Sequence, residues 1–358
     1  MQIHYKCYMN WTGYSVAAQE YILAMHAVNP SIDVKLDFYN MQTKTGIGPE
    51  RVKFFHSLKE KPSAQDRIFV HHCIPFRYRR PGGFKRHIAF CIFEAPEIPA
   101  DWVRKMNEMD MIIAGSQFNA SSFKAHGVNV PIKIVQHTFD PQMFHRNIKA
   151  PGRYERKTFL SIGTWKQRKN WPMLIRAFYE AFVESDDVCL LVKTDRPRDM
   201  KNLVIKIKKE GRFKSKRTAP VYCEDKPCCN FEDIPGIMRK GDFYVTCSLG
   251  EGFGYPGLHA MALGIPTILP RFGGIMEYAK EDNTTFIQPT GYKKVPRMDN
   301  VPQFNNCTWP ILKTNEVAQK MREVFDNPPK EKTERAYEHV HKNFNYQVIG
   351  NRFLEALV

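Results

Sequence analysis

The first 150 residues alternate short apolar runs with stretches of helical spacing. The pattern predicts strands at 3–9, 34–40, 67–72, 87–94, 109–116 and 132–137, and helices at 16–28 and 117–126. Strands that alternate with helices favour a parallel sheet joined by crossover connections. We therefore predict one Rossmann-like domain over residues 1–150.

The same pattern restarts after a polar stretch at 146–157 that contains Pro and Gly. It predicts strands at 158–163, 188–194, 242–248 and 266–270, and an amphipathic helix at 171–184 with Pro172 in its first turn. We predict an α/β chain with a second Rossmann-like domain over 151–340, facing the first across a cleft. A C-terminal helix, within 341–358, is expected to pack back on the first domain.

Composition narrows the class of protein. At 358 residues the chain is too long for one ordinary core. It has no apolar run of about 18 residues and no export signal at its start, and Cys91, Cys189 and Cys247 lie in strand-like runs typical of buried reduced thiols. These features predict a cytoplasmic protein, in the host cytoplasm if the source is viral, without a transmembrane segment.

One cysteine-rich stretch, "CEDKPCC" at 223–229, invites comparison with a metal knuckle. It lacks a second ligand pair at finger-like spacing, so we predict no metal there.

The formal charge of +16, with a pI near 9.4, is the most pronounced bulk feature. A balance this basic favours contact with nucleic acid, an anionic membrane surface or phosphorylated substrates. A lysine-rich solvated surface explains the charge equally well.

Ligands of open parallel sheets bind beyond the carboxyl ends of the strands, near helix N-termini. The first such turn, "NWTGYS" at 10–15, carries Gly13, which permits close backbone approach. It lacks the dinucleotide fingerprint G-x-G-x-x-G, so a nicotinamide cofactor is not indicated. A plain strand-to-helix turn is the alternative.

A second turn, "SIGTWKQRKNWPML" at 161–174, places cations close to a helix N-terminus. The strand ends at Gly163, and Lys166, Arg168 and Lys169 follow before the helix begins near Asn170 or Trp171. This combination predicts an anion site suited to a diphosphate. A solvated loop is the alternative.

A third turn lies in "GEGFGYPGLHAMALGIPTIL" at 250–269, between two predicted strands. Gly252, Phe253 and Gly254 form a turn that lets backbone approach a ligand, and Glu251 can accept hydrogen bonds from sugar hydroxyls. His259 follows about two helical turns later and is predicted to reach a neighbouring hydroxyl pair. The alternative is a buried packing turn, which would not require Glu251. Together these turns predict a nucleotide-sugar pocket in the second domain.

The motifs "SIGTWKQRKN" and "SLGEGFGYPGLHAMALGIPTI" resemble the retaining nucleotide-sugar glycosyltransferases of the GT-B fold, family four, as does the stretch 93–144. The resemblance implies that Arg168 and Lys169 contact the donor diphosphate and that Glu251 contacts the donor sugar. The second glutamate of the family's acidic motif, which binds the ribose, falls on His259, and the family's N-terminal glycine turn matches Gly13.

The resemblance also implies a retaining reaction with no enzymic nucleophile. The departing phosphate oxygen takes the acceptor proton, Arg168 and Lys169 stabilise the leaving group, and no metal or other cofactor is required. A UDP-sugar is favoured over a GDP-sugar as donor. A first-domain residue of the family assists at the reacting centre, and Glu94, His71 and His72 are the candidates here.

A basic and aromatic stretch, "FRYRRPGGFKRH" at 76–87, follows the third predicted strand on the expected cleft side. We interpret it as a flexible arm that grips phosphates and stacks on bases. Its candidate acceptor-binding residues are Arg77, Arg79, Arg80, Lys85 and Arg86. A second basic run at 206–217 is expected to be a solvated helix face.

Three interpretations of the acceptor stay open. A hydroxylated base in DNA, as in phage-type DNA modification, fits the charge and the basic arm. A lipid-linked or polysaccharide glycan, reached by peripheral contact with an anionic membrane, is the second. The third is a protein that binds a nucleotide sugar without transferring it, for which His259 in place of a glutamate is the support.

Overall fold

The first domain is built on a fully parallel six-stranded sheet. In this computed structural model, which describes residues 1–10, 12–41, 46–62, 65–225, 230–298 and 301–358, the strand order is β2-β1-β3-β4-β5-β6. The strands are β1 Gln2–Met9, β2 Asp33–Met41, β3 Arg67–His72, β4 Phe84–Cys91, β5 Met111–Ala114 and β6 Ile132–Ile134. The helices between them are α1 Gly13–Val28, α2 Pro49–Glu60, α3 Ala100–Asn107 and α4 Gln117–Ala125.

The second domain repeats this architecture with a different strand order, β12-β11-β10-β7-β8-β9. Its strands are β7 Lys157–Ile162, β8 Val188–Lys193, β9 Val221–Cys223, β10 Phe243–Val245, β11 Thr267–Pro270 and β12 Thr285–Ile287. Its helices are α5 Trp171–Ala181, α6 Pro197–Lys208, α7 Gly211–Lys214, α8 Ile234–Met238, α9 Tyr255–Ala262, α10 Thr314–Asp326 and α11 Lys330–Asn343. An antiparallel hairpin, β13 Tyr292–Lys294 and β14 Thr308–Pro310, is added at one side.

Strand burial follows from this layered arrangement. Every residue of β8 is buried because helices cover both faces of a central parallel strand, which explains its nearly continuous apolar sequence VCLLVK. In the second sheet, β7 and β10 are neighbours although they are distant in sequence. The chain direction across the sheet reverses between them, and such a switch point is where parallel sheets bind ligands.

The last helix, α12 Tyr346–Leu357, returns to the first domain. Its residues Ile349 and Phe353 belong to the same buried cluster as Tyr21 of α1. Gly350 makes this possible, since a Cβ at that position would lie 2.5 Å from the carbonyl oxygen of Ala24. The C-terminal segment therefore completes the core of the first domain.

The two domains also touch each other through polar contacts. The hydroxyl of Ser116 donates to the carbonyl oxygen of Gly252 at 2.9 Å, and Glu97 accepts from the amide and hydroxyl of Thr308 at 2.8 and 2.9 Å. Phe93 and Phe304 stack across the same boundary with centroids 4.9 Å apart. The domains thus face each other in a closed arrangement.

Both ends of one predicted strand differ from the structure, and the difference affects the site. The strand predicted at 87–94 begins earlier, at Phe84, and ends at Cys91, so Glu94 lies in the following loop. The basic stretch therefore contributes its last residues to a strand.

Within the described ranges, no helix combines the length and the apolar character that crossing a bilayer requires. The same ranges contain no cluster of His, Cys, Asp and Glu suited to a metal ion. Residues 226–229 of "CEDKPCC" lie outside the described part of the chain.

Candidate active site

The loops after β7 and β10 meet at the switch point of the second sheet. The amide of Leu249 donates to the carbonyl oxygen of Arg168 at 2.6 Å, which ties the two loops together. The hydroxyl of Ser248 donates to the carbonyl oxygen of Gly250 at 3.2 Å within the second loop. Side chains that are far apart in sequence are thereby fixed side by side.

A buried ionic cluster forms where these loops meet. The ammonium group of Lys169 pairs with Oε1 of Glu251, and Nη1 of Arg168 lies 3.2 Å from Oε2 of the same carboxylate. Lys169 and Glu251 are both buried. A Cβ at Gly163 would lie 3.3 Å from the stem of Lys169, so the absence of a side chain there leaves room for this lysine.

The cluster changes the acidity of its members. Burial by itself would raise the pKa of Glu251, but Lys169 and Arg168 outweigh it and lower that pKa from 4.5 to about 2. Burial lowers the pKa of Lys169, and Glu251 opposes the shift. Burial also disfavours the charge of Arg168, but Glu94 and Glu251 raise its pKa. Glu251 is therefore a carboxylate at neutral pH.

The first domain contributes Glu94 to the same cluster. Its Oε1 accepts from Nη2 of Arg168 at 2.9 Å, while Nη1 of Arg168 donates to the carbonyl oxygen of Gly250 at 2.8 Å. Arg168 is thus held by carboxylates from both domains. Among the predicted first-domain candidates, the structure brings Glu94 to the cluster.

The glycines of the third turn serve a different contact from the one expected. A Cβ at Gly250 would lie 2.1 Å from the carbonyl oxygen of Glu94, and one at Gly252 would lie 2.3 Å from Cγ1 of Ile92. These glycines let the second domain approach the first domain, whereas the sequence predicted an approach to a ligand. Gly254 precedes α9 with φ of +91°, a conformation that favours glycine.

Phe253 and His259 lie in a buried aromatic cluster. Phe253 packs on His137 with centroids 4.6 Å apart, and His259 stacks on Phe144 at 3.9 Å. Burial lowers the pKa of His259 to about 3, and its Nε2 has no hydrogen-bond partner in the described residues. The predicted reach of His259 to exposed hydroxyls is not what this closed structure shows, because Phe144 covers the ring.

His72 and His71 do not join the ionic cluster. His72 is fully buried, its Nδ1 lies 2.6 Å from the hydroxyl of Tyr5, and burial lowers its pKa well below the usual value. His72 was predicted to be a catalytic residue, but it lies in the core of the first domain. His71 lies on the opposite face of the sheet, beside Phe69.

The two remaining donor-site candidates lie in open positions. Gly13 begins α1, and among the described residues no atom outside its chain neighbours and its own helix backbone lies within 4 Å of a would-be Cβ. Lys166 is exposed, and its amide donates to the carbonyl oxygen of Thr164 at 2.8 Å. No contact joins either residue to Glu251 in the described ranges.

The basic stretch at 76–87 is anchored and is not a flexible arm. Tyr78 is fully buried and donates to the carbonyl oxygen of Phe90 at 2.9 Å, and Arg80 pairs with Asp110 at 2.9 Å. Lys85 and Arg86 belong to the start of β4, and this amino-terminal end of the strand faces away from the cleft. Arg86 donates there to the carbonyl oxygen of Val358 at 3.0 Å, so its predicted cleft-side position is wrong.

A cavity of about 890 Å³ opens between the two domains. Its wall includes Pro96, Gln117 and Phe118 from the first domain and Arg271, Phe272 and Tyr292 from the second. Arg168, Lys169 and Glu251 do not line it. Gly273 lines the cavity, and the amide of the next residue, Gly274, donates to the carbonyl oxygen of Glu251 at 2.8 Å. The aromatic wall of this cavity was not predicted from the sequence.

Comparisons with known proteins agree with this architecture. Residues 156–294 match the family described as glycosyl transferases group 1. A protein of Sulfolobus islandicus rod-shaped virus 1, named Uncharacterized protein 356, is 21% identical over 259 residues, which cover 70% of this chain and 70% of that protein.

Solved structures match over the whole chain. Anabaena Alr3699/HepE in complex with UDP-glucose has a TM-score of 0.69 at 13% identity, covering 100% of this chain and 99% of that one. Sucrose-phosphate synthase from Thermosynechococcus elongatus has a TM-score of 0.67 at 13% identity, covering 99% and 98%. The α/β, GT-B fold with two Rossmann-like domains is thereby confirmed.

Proposed function

We propose that the protein is a glycosyltransferase that moves a sugar from a nucleotide-diphosphate sugar to an acceptor hydroxyl. One observation carries the proposal: Arg168 and Lys169 meet Glu251 in a buried cluster at the switch point of the second sheet. The cluster lies within the segment that matches glycosyl transferases group 1. The UDP-glucose complex of the Anabaena structure supports a UDP-sugar as the donor ahead of a GDP-sugar.

The chemistry assigns separate roles to the cations and the carboxylate. As the anomeric bond breaks, negative charge grows on the departing diphosphate, and Arg168 and Lys169 stabilise it where it develops. To do so they exchange their carboxylate partners for phosphate oxygens. Glu251 is then free to accept hydrogen bonds from hydroxyls of the donor sugar.

We further propose that the anomeric configuration is retained. The acceptor oxygen bonds to the anomeric carbon on the face from which the phosphate oxygen departs. That phosphate oxygen takes the acceptor proton, so no side chain acts as a nucleophile. The proposal invokes no divalent ion, because the two cations supply the charge, and an assay in the presence of a chelator tests this point.

Glu94 connects the chemistry to domain movement. Its ion pair with Arg168 crosses between the domains, and donor entry requires Arg168 to release it. We propose that the domains open at this contact to admit the donor and then close to exclude water. Glu94 is accordingly placed at the reacting centre as a positioning residue for Arg168.

For the acceptor we favour a hydroxylated base in DNA. The net charge of +16 and the exposed Arg77 and Arg79 beside the cleft-side strand ends support a polyanionic acceptor. A lipid-linked or polysaccharide glycan is the alternative. Action on DNA would place the protein in the cytoplasm, or in the host cytoplasm if the source is viral.

Release of UDP from UDP-glucose, measured with and without DNA that carries hydroxylated bases, tests the proposal. We expect Glu251→Gln and Lys169→Ala to lower turnover by more than a hundredfold, since each removes a group at the site of charge development. Glu334→Gln, on a half-exposed residue paired with Arg146, is the control and should retain wild-type turnover.

Each other outcome has a distinct meaning. Wild-type rates in Glu251→Gln would refute the site assignment. Binding of UDP-glucose by calorimetry without UDP release on any acceptor would indicate a non-catalytic binding protein. Absence of both binding and release, across UDP- and GDP-sugars, would refute the proposed function itself.

A further inference from the structure

A second recess lies on the first sheet, outside the ionic cluster. Side chains alternate between the two faces of each strand, and Tyr5 of β1 and Val70 of β3 point to the side packed by α1 and α12. Lys6 and His71, which are register partners on the same strands, point to the other side. There His71 is buried and Lys6 stays partly exposed.

The recess is a groove of about 350 Å³ between the sheet face and that loop. Its wall includes Lys6, Tyr39, Phe69, His71, Arg77 and Arg79. The groove combines residues from β1, β2 and β3 with residues of the basic stretch. Lys6 and Tyr39 are distant from that stretch in sequence, so only the fold brings them to it.

The cations of the groove are not neutralised by neighbouring carboxylates. Arg80, at the rim, pairs with Asp110, but the described residues provide no ion pair for Lys6, Arg77 or Arg79. Asp37 is the register partner of Lys6 on β2, and its carboxylate is bonded to His4 at 2.8 Å. Three positive charges therefore have no carboxylate partner among the described residues, and Nη1 of Arg79 donates to the carbonyl oxygens of Phe76 and Tyr78 at 3.0 and 2.7 Å.

Aromatic rings hold two of these cations, Lys6 and Arg77, in place. The guanidinium of Arg77 lies 5.8 Å from the ring centroids of both Tyr8 and Tyr39, and 5.6 Å from that of Phe76. The ammonium of Lys6 lies 5.0 Å from the ring of Tyr39. Such contacts orient a cation while leaving its charge for a ligand. Phe76, which is 51% exposed, adds a ring at the opening.

His71 supplies an unused polar atom in the wall. The side chain is 1% exposed, and its Nε2 has no hydrogen-bond partner in the described residues. A buried polar atom without a partner costs free energy unless a ligand satisfies it. The ring is neutral at pH 7, since burial lowers its pKa to about 3.

We propose that this groove binds the phosphate backbone of a single-stranded nucleic acid, with one base resting on its aromatic side chains. Cations interleaved with exposed rings are the chemistry that grips phosphates and stacks bases without sequence preference. We favour a nucleic acid over a membrane surface because the cations line a recess together with aromatic rings. The inference rests on the proposed function only in identifying the bound strand as the acceptor.

The groove is tied structurally to the reacting centre. Tyr78, in the loop that carries Arg77 and Arg79, is bonded to the backbone of β4. The chain continues from β4 directly to Glu94, which contacts Arg168. A nucleic acid held in the groove is thus bound to the loop and strand β4, which lead to Glu94 in the ionic cluster.

Fluorescence anisotropy of labelled oligothymidine, measured over a range of salt concentrations, tests the proposal on the full chain. We expect Lys6→Gln/Arg77→Gln to weaken binding about a hundredfold, roughly tenfold for each lost phosphate contact. We also expect a shallower salt dependence, since each contact on a single strand contributes about 0.7 to the slope. Lys206→Gln/Lys208→Gln, on exposed residues of α6, removes the same charge elsewhere and should bind as the wild type does.

Equal weakening in both double variants would overturn the proposal, because net charge alone would then explain binding. Binding to vesicles of phosphatidylcholine and phosphatidylserine, without binding to oligothymidine, would overturn it in favour of a membrane. If the groove variant does not fold, Arg79→Gln on an exposed side chain repeats the test and should weaken binding about tenfold. UDP-glucose binding is measured in parallel on the wild type, so that loss of the groove and loss of the proposed function give different results.

Discussion

Replacing Glu251 with glutamine tests the ionic cluster most directly. The substitution keeps the size of the side chain and removes its charge. Lys169 then remains buried beside a neutral amide, and among the described residues Arg168 keeps only Glu94 as an ionic partner. Breaking one side of a buried ion pair is costly because the remaining charge has lost both water and its counter-ion.

The size of the effect follows from the acidity of Glu251. Its pKa falls from 4.5 to about 2 on folding, and a shift of one unit corresponds to about 1.4 kcal/mol. Ionised Glu251 therefore contributes about 3 kcal/mol to stability at neutral pH. This contribution is present above pH 4.5 and is lost as the pH falls towards 2, because the folded state binds the proton less readily than the unfolded chain.

Urea unfolding of the full chain, followed by tryptophan fluorescence to which the buried Trp171 contributes, measures this loss. We expect Glu251→Gln to lower the free energy of unfolding by about 3 kcal/mol and the double variant Lys169→Met/Glu251→Gln to lower it by less than the sum of the single variants. Glu334→Gln, a surface control, should cost less than about 1 kcal/mol. A loss for Glu251→Gln no larger than that of the control would refute the buried ionic cluster.

Two further predictions concern acid stability and domain contact. Burial lowers the pKa values of three histidines to about 3: His71, His137 and His259. The unfolded state therefore binds protons first as the pH falls. The free energy of unfolding should fall by roughly 1 kcal/mol for each histidine between pH 6.5 and 5.5. Thermal melts at these two pH values check this, and an unchanged melting temperature would contradict it. Gly250→Ala places a Cβ 2.1 Å from the carbonyl oxygen of Glu94 and should force the domains apart, whereas Gly82→Ala meets open space. Small-angle scattering should show a larger radius of gyration for Gly250→Ala alone, and identical curves for both variants would disprove the close contact.

Much of the fold could be predicted from the local pattern of apolar and polar residues. Apolar runs of strand length and amphipathic stretches predicted both parallel sheets, because a strand buried on both faces must be apolar throughout. Strand β3 at Arg67–His72 lies where the sequence predicted it. The strands β9 and β12 and the hairpin of β13 and β14 were not predicted; each strand has three residues, and unlike β6 and β10 none lies in a longer predicted apolar run.

The ionic cluster shows which residues of a site can be predicted from the sequence and which cannot. Arg168, Lys169 and Glu251 were identified because each follows a predicted strand, and the ends of parallel strands converge at one edge. The closeness of Glu94 to Arg168 was not predictable, since it depends on the contact between domains. His72 was misjudged because a histidine at a strand end has the same sequence pattern whether its ring faces the cleft or the core.

The amino-acid sequence by itself determined which segments form strands and helices, that they make two α/β domains, and which loops carry charge. Those properties depend on residues that are near one another along the chain. The tertiary structure decided which groups meet: Gly250 against Glu94, His259 against Phe144, and Lys6 beside Arg77. These contacts join distant segments, and their geometry is set by domain packing and strand order, which local periodicity does not contain.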